Sequence, residues 1–304
     1  MEIYLPIAEM SVHWLIVLGL GGAIGFLSGL FGVGGGFLLT PLLIFYGVPA
    51  EVAVATTASH ITASSISGAL AQWRRRALDL KMGAVMAAGG LGGSVFGVWL
   101  FTVMRRVGQM DLLVSASYVI LLGTVGGLML SESLAALRRS RGGAPPPRRA
   151  PHTWMHGLPF KMRFRESRLY ISVIPPIVIG IFVGILSAIM GVGGGFVIVP
   201  AMIYLLRMPT NVVMGTSLFQ IIIVTAATTI LQATTNYSVD IMLALFLILG
   251  GVIGAQFGVR AGERLRGEQL RLLLALLVLA VALRLLVGLV LKPDDLYTVT
   301  TVAR

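Results

Sequence analysis

The sequence contains no cysteine. Disulfides, thiolate metal sites and cysteine nucleophiles are excluded together. Charge is scarce as well. Asp, Glu, Lys and Arg make up 12% of the 304 residues, against about 25% in a soluble domain. Carboxylates are scarcest: 12 Asp and Glu stand against 23 Lys and Arg. None falls near the middle of an apolar segment. Glu51 and Asp111 sit at helix starts, where they can cap, so no carboxylate proton relay is visible. Also missing are a HExxH zinc motif, a GxSxG elbow and paired intramembrane aspartates. An intramembrane enzyme therefore has little to work with, and no cofactor or metal is expected.

Apolar residues are abundant: 57% of the chain, with a mean hydropathy of +0.93. This composition predicts an all-α polytopic membrane protein. Glu2 and Glu9 precede the first apolar run, where a cleavable signal would carry Lys or Arg, so that run is read as retained. The net charge of +11 lies mostly in short loops beside apolar segments. It reads as topology determinants rather than a nucleic-acid surface.

Apolar segments run over 12–31, 35–46, 52–71, 82–104, 112–130, 171–190, 194–206, 212–233, 241–259 and 270–291. Most approach the roughly 20 residues of a spanning helix. Segments 35–46 and 194–206 are shorter, and each follows a glycine run. If each broken segment enters and returns to one face, loops 73–81, 131–170, 207–211 and 260–271 share a face carrying 18 Lys and Arg. The opposite face then holds Arg105, Arg106, Lys292 and Arg304. If each broken segment crosses once, the split is 15 to 7. The 18:4 division obeys the positive-inside rule better. The expected fold is two re-entrant hairpins and six spans, with both termini outside. Each half then crosses an odd number of times, which makes the halves an inverted repeat.

The glycine runs organise the chain. Gly32-Val33-Gly34-Gly35-Gly36 continues to Pro41, and Gly191-Val192-Gly193-Gly194-Gly195 continues to Pro200. Seven of these ten positions are identical, 159 residues apart. Glycine weakens a helix by about 1 kcal/mol per residue relative to alanine, so both helices should break here. Such a break is tolerated at membrane depth only where protein or a water-filled cavity covers it. The repeat extends further: Pro49, Thr56, Thr57, His60 and Gln72 match Pro209, Thr216, Ser217, Gln220 and Gln232. Gly90, Gly93, Phe96 and Gly97 match Gly251, Gly254, Phe257 and Gly258, read as sites of close helix packing. The domains are a first membrane repeat (1–130), a basic Pro-rich cytoplasmic linker (131–170) and a second membrane repeat (171–304). The first part of the linker is expected to be unstructured. Its later part, with Phe160, Met162 and Phe164 among cations, is expected on an anionic membrane surface.

Two GVGGG-F-x-x-x-P elements, each followed by a Thr/Ser-bearing span, resemble the TauE/SafE sulfite-exporter family of membrane permeases. The resemblance covers nearly the whole chain outside the linker and tails. It implies a secondary permease in the bacterial cytoplasmic membrane, moving sulfite or an organosulfonate such as sulfoacetate.

The residues agree with an anionic substrate. Helices that start at the breaks present free N–H groups and the positive end of the macrodipole, which suits an oxyanion without an arginine. Glycine lets the ligand approach the backbone. The alternative is that these glycines serve only a tight hairpin. Thr56, Thr57 and His60 of one helix, with Thr216, Ser217 and Gln220 of the other, can donate hydrogen bonds. Thr56 and His60 share a face at i, i+4, as do Thr216 and Gln220. Each Ser or Thr alone has another use, a bond to the carbonyl four residues back. His60 is the one candidate proton carrier, and its alternative is a packing role held by one hydrogen bond. Arg284, inside the last span, is left without a role. A permease for another small anion is the competing reading. The sequence gives no oligomeric state.

Overall fold

A computed structural model of the chain describes residues 2–31, 36–74, 78–142, 159–164, 166–167, 169–262 and 267–290. The first half comprises α1 (Trp14–Phe31), α2 (Gly36–Phe45), α3 (Ala50–Arg74), α4 (Leu80–Val107) and α5 (Met110–Gly142). The second comprises α6 (Ile174–Met190), α7 (Gly195–Pro200), α8 (Thr210–Thr235), α9 (Ile241–Gly262) and α10 (Gly267–Val290). A π-helical turn, Ala201–Leu205, continues α7. The second glycine run falls between α6 and α7, as expected. Gly191 caps α6 at φ 69°, and Gly194 precedes α7 at φ 75°. This left-handed region is open to glycine at no steric cost. Pro200 then ends regular α-geometry, because it lacks the N–H that the next turn needs.

Among the described residues, five helices are long and apolar enough to cross a membrane: α4, α5, α8, α9 and α10. The sequence suggested six. The sixth, α3, has 25 residues, about 37 Å of helix, but its Ser, Thr and His make it less apolar. The short apolar helices are α1, α2, α6 and α7 with its π turn, the members of the two broken pairs.

The halves pack by exchange. α1 lies against α9, as α6 lies against α4, and α3 meets α8 while α5 meets α10. The glycines that match between repeats line the first two contacts. A Cβ at Gly254 would collide with the Gly22 carbonyl, and one at Gly93 would collide with Ile181. The matching helices α3 and α8 run antiparallel. Along α3 the contacts ascend from Thr62 to Gly68, while on α8 they descend from Thr225 to Leu218.

Each half also carries a β-hairpin, which an all-α reading omits. β1 (Glu2–Leu5) pairs with β2 (Met10–His13), and β3 (Lys161–Phe164) pairs with β4 (Leu169–Ser172), both antiparallel. Leu5, Ala8 and Val12 are buried from the first hairpin, Phe164 and Ile171 from the second. The linker expectation is corrected in two places. Residues 131–142 continue α5, where Leu, Ala and Arg favour helix. Phe164 is buried with Met82, Ile171 and Met208 rather than resting in headgroups, while Phe160 and Met162 stay exposed. Residues 143–158 lie outside the described residues.

Each broken pair leaves from and returns to one end of the bundle. Met10, just before α1, lies 3.9 Å from the Cβ position of Gly47, just after α2. Met208, just after the π turn, packs with Phe164 and Ile171, just before α6. The α3–α8 pair is antiparallel.

Candidate functional site

The residues at the ends of the two glycine runs meet. Phe37 and Phe196, the residues that follow each glycine run, stack with ring centroids 4.6 Å apart and planes 22° apart. A Cβ at Gly36 would lie 3.2 Å from the Val192 carbonyl oxygen. Gly191 and Gly193 lie along α3, against Val54 and Ile61. Gly195 and Val192 are buried beside them. Gly32, Val33, Gly34 and Gly35 lie outside the described residues. At the second break, the Gly194 carbonyl accepts the Val197 and Ile198 N–H groups at 3.0 and 2.8 Å. The first N–H groups of α7, on Gly195 and Phe196, have no partner within the helix by its own geometry.

The polar side chains of α3 and α8 divide into two sets. Thr56 and Thr216 serve matching junctions between the repeats. The Asp240 N–H donates to Thr56 Oγ1 at 3.1 Å, and the Asp79 N–H donates to Thr216 Oγ1 at 3.0 Å. Each Asp caps its own helix: Oδ1 accepts the Met82 N–H at 3.0 Å for Asp79, and the Leu243 N–H at 3.1 Å for Asp240. The second oxygen reaches the other repeat's hairpin. Asp79 Oδ2 accepts the Ser167 N–H at 3.1 Å and its hydroxyl at 2.6 Å. Asp240 Oδ2 accepts the Ile7 N–H at 3.0 Å. Sequence reasoning missed both aspartates. The available signal was their matched spacing, three residues ahead of Met82 and Leu243.

Ser217, Thr225 and Thr228 bond to carbonyls of their own helix. The Thr62 and Thr225 hydroxyls stand 2.8 Å apart where α3 crosses α8.

A second set of polar atoms, spread over α2, α3, α6 and α8, is left without a hydrogen bond. Among the described residues, Thr57 Oγ1, His60 Nε2, Ser65 Oγ, Ser187 Oγ and both amide atoms of Gln220 are buried without a hydrogen bond, as is Thr40 Oγ1 apart from its approach to the Tyr118 hydroxyl. Leaving a buried polar group unpaired costs about 1–3 kcal/mol, so native proteins keep few of them without a reason. All six residues belong to α2, α3, α6 and α8, the helices that flank the breaks or pack on them.

His60 and Gln220 hold matching places. A Cβ at Gly251 would collide with the His60 ring, and one at Gly90 would lie 3.0 Å from Gln220 Nε2. Those two glycines therefore make room for the polar side chains as well as for helix packing. His60 Nδ1 stands 2.9 Å from the Leu247 carbonyl. A carbonyl oxygen only accepts, so Nδ1 carries the hydrogen and Nε2 is left with a free lone pair. No Lys or Arg occurs in residues 2–73, 174–206 or 208–235, the stretches that form this region.

Arg284 is elsewhere. It stands on the outside of α10, its guanidinium carbon 5.3 Å from the Phe45 ring centroid. There it borders a cleft of about 470 Å³ with Ile44, Asp111 and Ser115. The cleft lies at the far end of α2 from the break, about 13 Å along the helix. Glu51, expected as a cap, instead pairs with Arg105 at 2.6 Å. Arg105 also donates to the Asn236 carbonyl, tying α3 and α4 to the loop before α9.

The profile of the sulfite exporter TauE/SafE family matches residues 17–285. A probable membrane transporter protein of Bacillus subtilis (strain 168), YjnA, is 28% identical over 280 residues, covering 91% of this chain and 100% of that protein. A probable membrane transporter protein of Xylella fastidiosa (strain 9a5c) is 31% identical over 283 residues, covering 90% of this chain and 95% of that one. No solved structure matches.

Proposed function

The chain belongs to the TauE/SafE sulfite-exporter family and is a multi-pass membrane transporter, and from this premise we propose that it moves a small sulfur oxyanion, sulfite or an organosulfonate such as sulfoacetate, across the bacterial cytoplasmic membrane. The observation that carries the reading is the meeting of the two glycine breaks among buried polar groups that the protein itself leaves unpaired. The anion sits where the breaks face each other. Main-chain N–H groups of Gly32–Gly36 and Gly191–Gly195 donate to it, as do the Thr57 hydroxyl and the Gln220 amide. Neutral donors suit a substrate that must bind and leave: they hold charge without the deep trap that a buried cation would make.

The antiparallel matching helices support an inverted repeat with its axis in the membrane plane. The Asp79 junction then faces the cytoplasm, beside the positive loop 73–81, and the Asp240 junction faces outside. Thr56 and Thr216 hold these ends while the residues one turn deeper meet the substrate. The free Nε2 of His60 takes a proton when transport is coupled to one.

Purified protein in liposomes tests this. Labelled sulfite or sulfoacetate should accumulate faster than in empty liposomes, and an excess of either should compete, while acetate should not. Uptake of acetate in preference to both would favour a carboxylate carrier. Movement of none of them would overturn the reading.

A further inference from the structure

Arg284 is a charge that the transport site does not use. It stands on α10 six residues before Val290, about 9 Å of helix from that end. Leu283, Leu286 and Val287 around it are exposed on the outside of the bundle. A cation in such a stretch is costly unless something answers it. Among the described residues the guanidinium meets the Phe45 ring and no carboxylate within ion-pair distance. The ring attracts the charge but offers no lone pair, so the fork of N–H donors keeps its capacity for an oxyanion. The side chain reaches toward the end of the span: Nη1 lies 3.8 Å from the Cβ position of Gly288, one turn nearer that end.

The cleft that Arg284 borders measures about 470 Å³, within the range of small-ligand sites. Asp111, in the first turn of α5, lines it too, with Ser115 one turn further along. The rim is apolar and exposed, formed by Leu112, Leu289 and Val290. The end of α2, the start of α5 and the end of α10 converge here. In a membrane protein, converging helix ends lie where hydrocarbon gives way to headgroups. We propose that this cleft binds a zwitterionic phospholipid with a primary ammonium, a phosphoethanolamine lipid. The Arg284 fork takes the phosphate, Asp111 accepts from the ammonium, and the leucines of the rim cover the start of an acyl chain. Charge complementarity selects the occupant. The lining carries one cation and one anion, and so does this headgroup. A phosphoglycerol lipid brings a net negative charge to Asp111 and no ammonium. A phosphocholine lipid has no N–H for Asp111 to accept. The bound lipid ties the far end of α2 to α5 and α10, whichever anion the protein moves.

Thermal melting of the detergent-purified chain with added dioleoyl lipids tests this, and no arm of it involves sulfite. Phosphatidylethanolamine should reach its half-maximal shift at about tenfold lower concentration, or less, than phosphatidylcholine or phosphatidylglycerol, the worth of one hydrogen bond to a charged group. Arg284→Gln should weaken all three. Asp111→Ala should bring phosphatidylethanolamine level with phosphatidylcholine and strengthen phosphatidylglycerol. Both residues are exposed, so neither change touches the core. Arg106→Gln, an exposed cation at the end of α4 outside the lining, should change nothing. Equal potency of the three lipids on the wild type would overturn the proposal, by reducing their effect to a general lipid coat. So would an unaltered preference in Asp111→Ala, or a loss in Arg106→Gln as large as in Arg284→Gln. Indifference to all three lipids would give the cleft to residues 291–304 or to a second copy of the chain, and would overturn it as well.

Discussion

Thr56 and Thr57 are neighbours on α3, both fully buried, yet the same substitution should move the protein in opposite directions. Valine keeps the β-branch and nearly the volume of threonine, so helix propensity and packing cancel to first order. What remains is the hydroxyl. Thr56 Oγ1 accepts the Asp240 N–H at 3.1 Å. Thr56→Val strands that donor in buried surroundings, at a cost of about 1–3 kcal/mol. Thr57 Oγ1 has no partner. Thr57→Val removes a hydroxyl that folding had desolvated for nothing, and should stabilise the empty protein by about 1 kcal/mol.

Thermal melting in detergent without substrate reads this directly: Thr56→Val below wild type, Thr57→Val at or above it. Transport should invert the order. A hydrogen bond to a charged group is worth about 1.5–3 kcal/mol, so Thr57→Val should lower sulfite uptake by about tenfold or more, and sulfite should no longer raise its melting temperature as it does for wild type. Thr56→Val, once folded, should keep most of its uptake. A Thr57 variant that melts well below wild type and transports normally would refute the reasoning, because its hydroxyl would then be a structural bond rather than a waiting one.

The other predictions concern the junctions, the breaks and the histidine. Asp79→Ala and Asp240→Ala should each lower stability, by about 1 kcal/mol for the lost helix cap and a further 1–3 kcal/mol for the orphaned hairpin donors; melting no lower than wild type would mean the junctions do not hold the hairpins. Gly194→Leu forces a side chain into the left-handed region and against Val183, and should abolish transport while the protein still inserts; Gly34→Leu, by the symmetry of the motif, should do the same, and normal flux in both would remove the breaks from the mechanism. His60→Ala should change the pH dependence of uptake if the histidine carries protons, and an unchanged profile would exclude His60 as a proton carrier. Because the chain has no cysteine, one introduced at Val213 reports access at the Asp79 end; Ser167→Ala should increase its maleimide labelling, and equal labelling would show that the end stays shut without that bond.

The breaks were readable because glycine acts locally: four in five residues weaken any helix, whatever surrounds them. Their re-entrant course is an expectation drawn from where Lys and Arg sit, since lipid enforces that bias loop by loop. Their meeting was implied by the repeat and needed coordinates to be seen. Less was legible where a residue's role depends on the other repeat. Asp79 looks like one acid in a basic loop until Ser167, 88 positions away, is brought to its carboxylate. Thr56 and Thr57 are alike in sequence, and only the approach of Asp240 to one of them separates structural from unpaired. The hairpins were hidden for another reason. Their strands are four residues long, and Val12 and His13 merge into the apolar run of α1. Nothing in residues 131–142 marks the end of α5 before Gly142 and Gly143.

The matched junctions bear on how such a carrier could alternate. Each aspartate caps a helix of its own repeat and grips the other repeat's hairpin, so each end can loosen without disturbing the partner at the opposite end. A transporter needs its two end states within a few kcal/mol of each other, or one of them is never visited. Repeating one bonding scheme at both ends supplies that near-balance. The scheme is not quite equal, however. Asp79 Oδ2 takes two donors from Ser167, whereas Asp240 Oδ2 takes one from Ile7. The additional bond, from a hydroxyl to a carboxylate, is worth about 1.5–3 kcal/mol, or roughly ten- to a hundredfold in population. The resting protein should therefore keep its Asp79 end closed and open more readily at the Asp240 end, and the bias resides in the one hydroxyl that Ser167→Ala deletes.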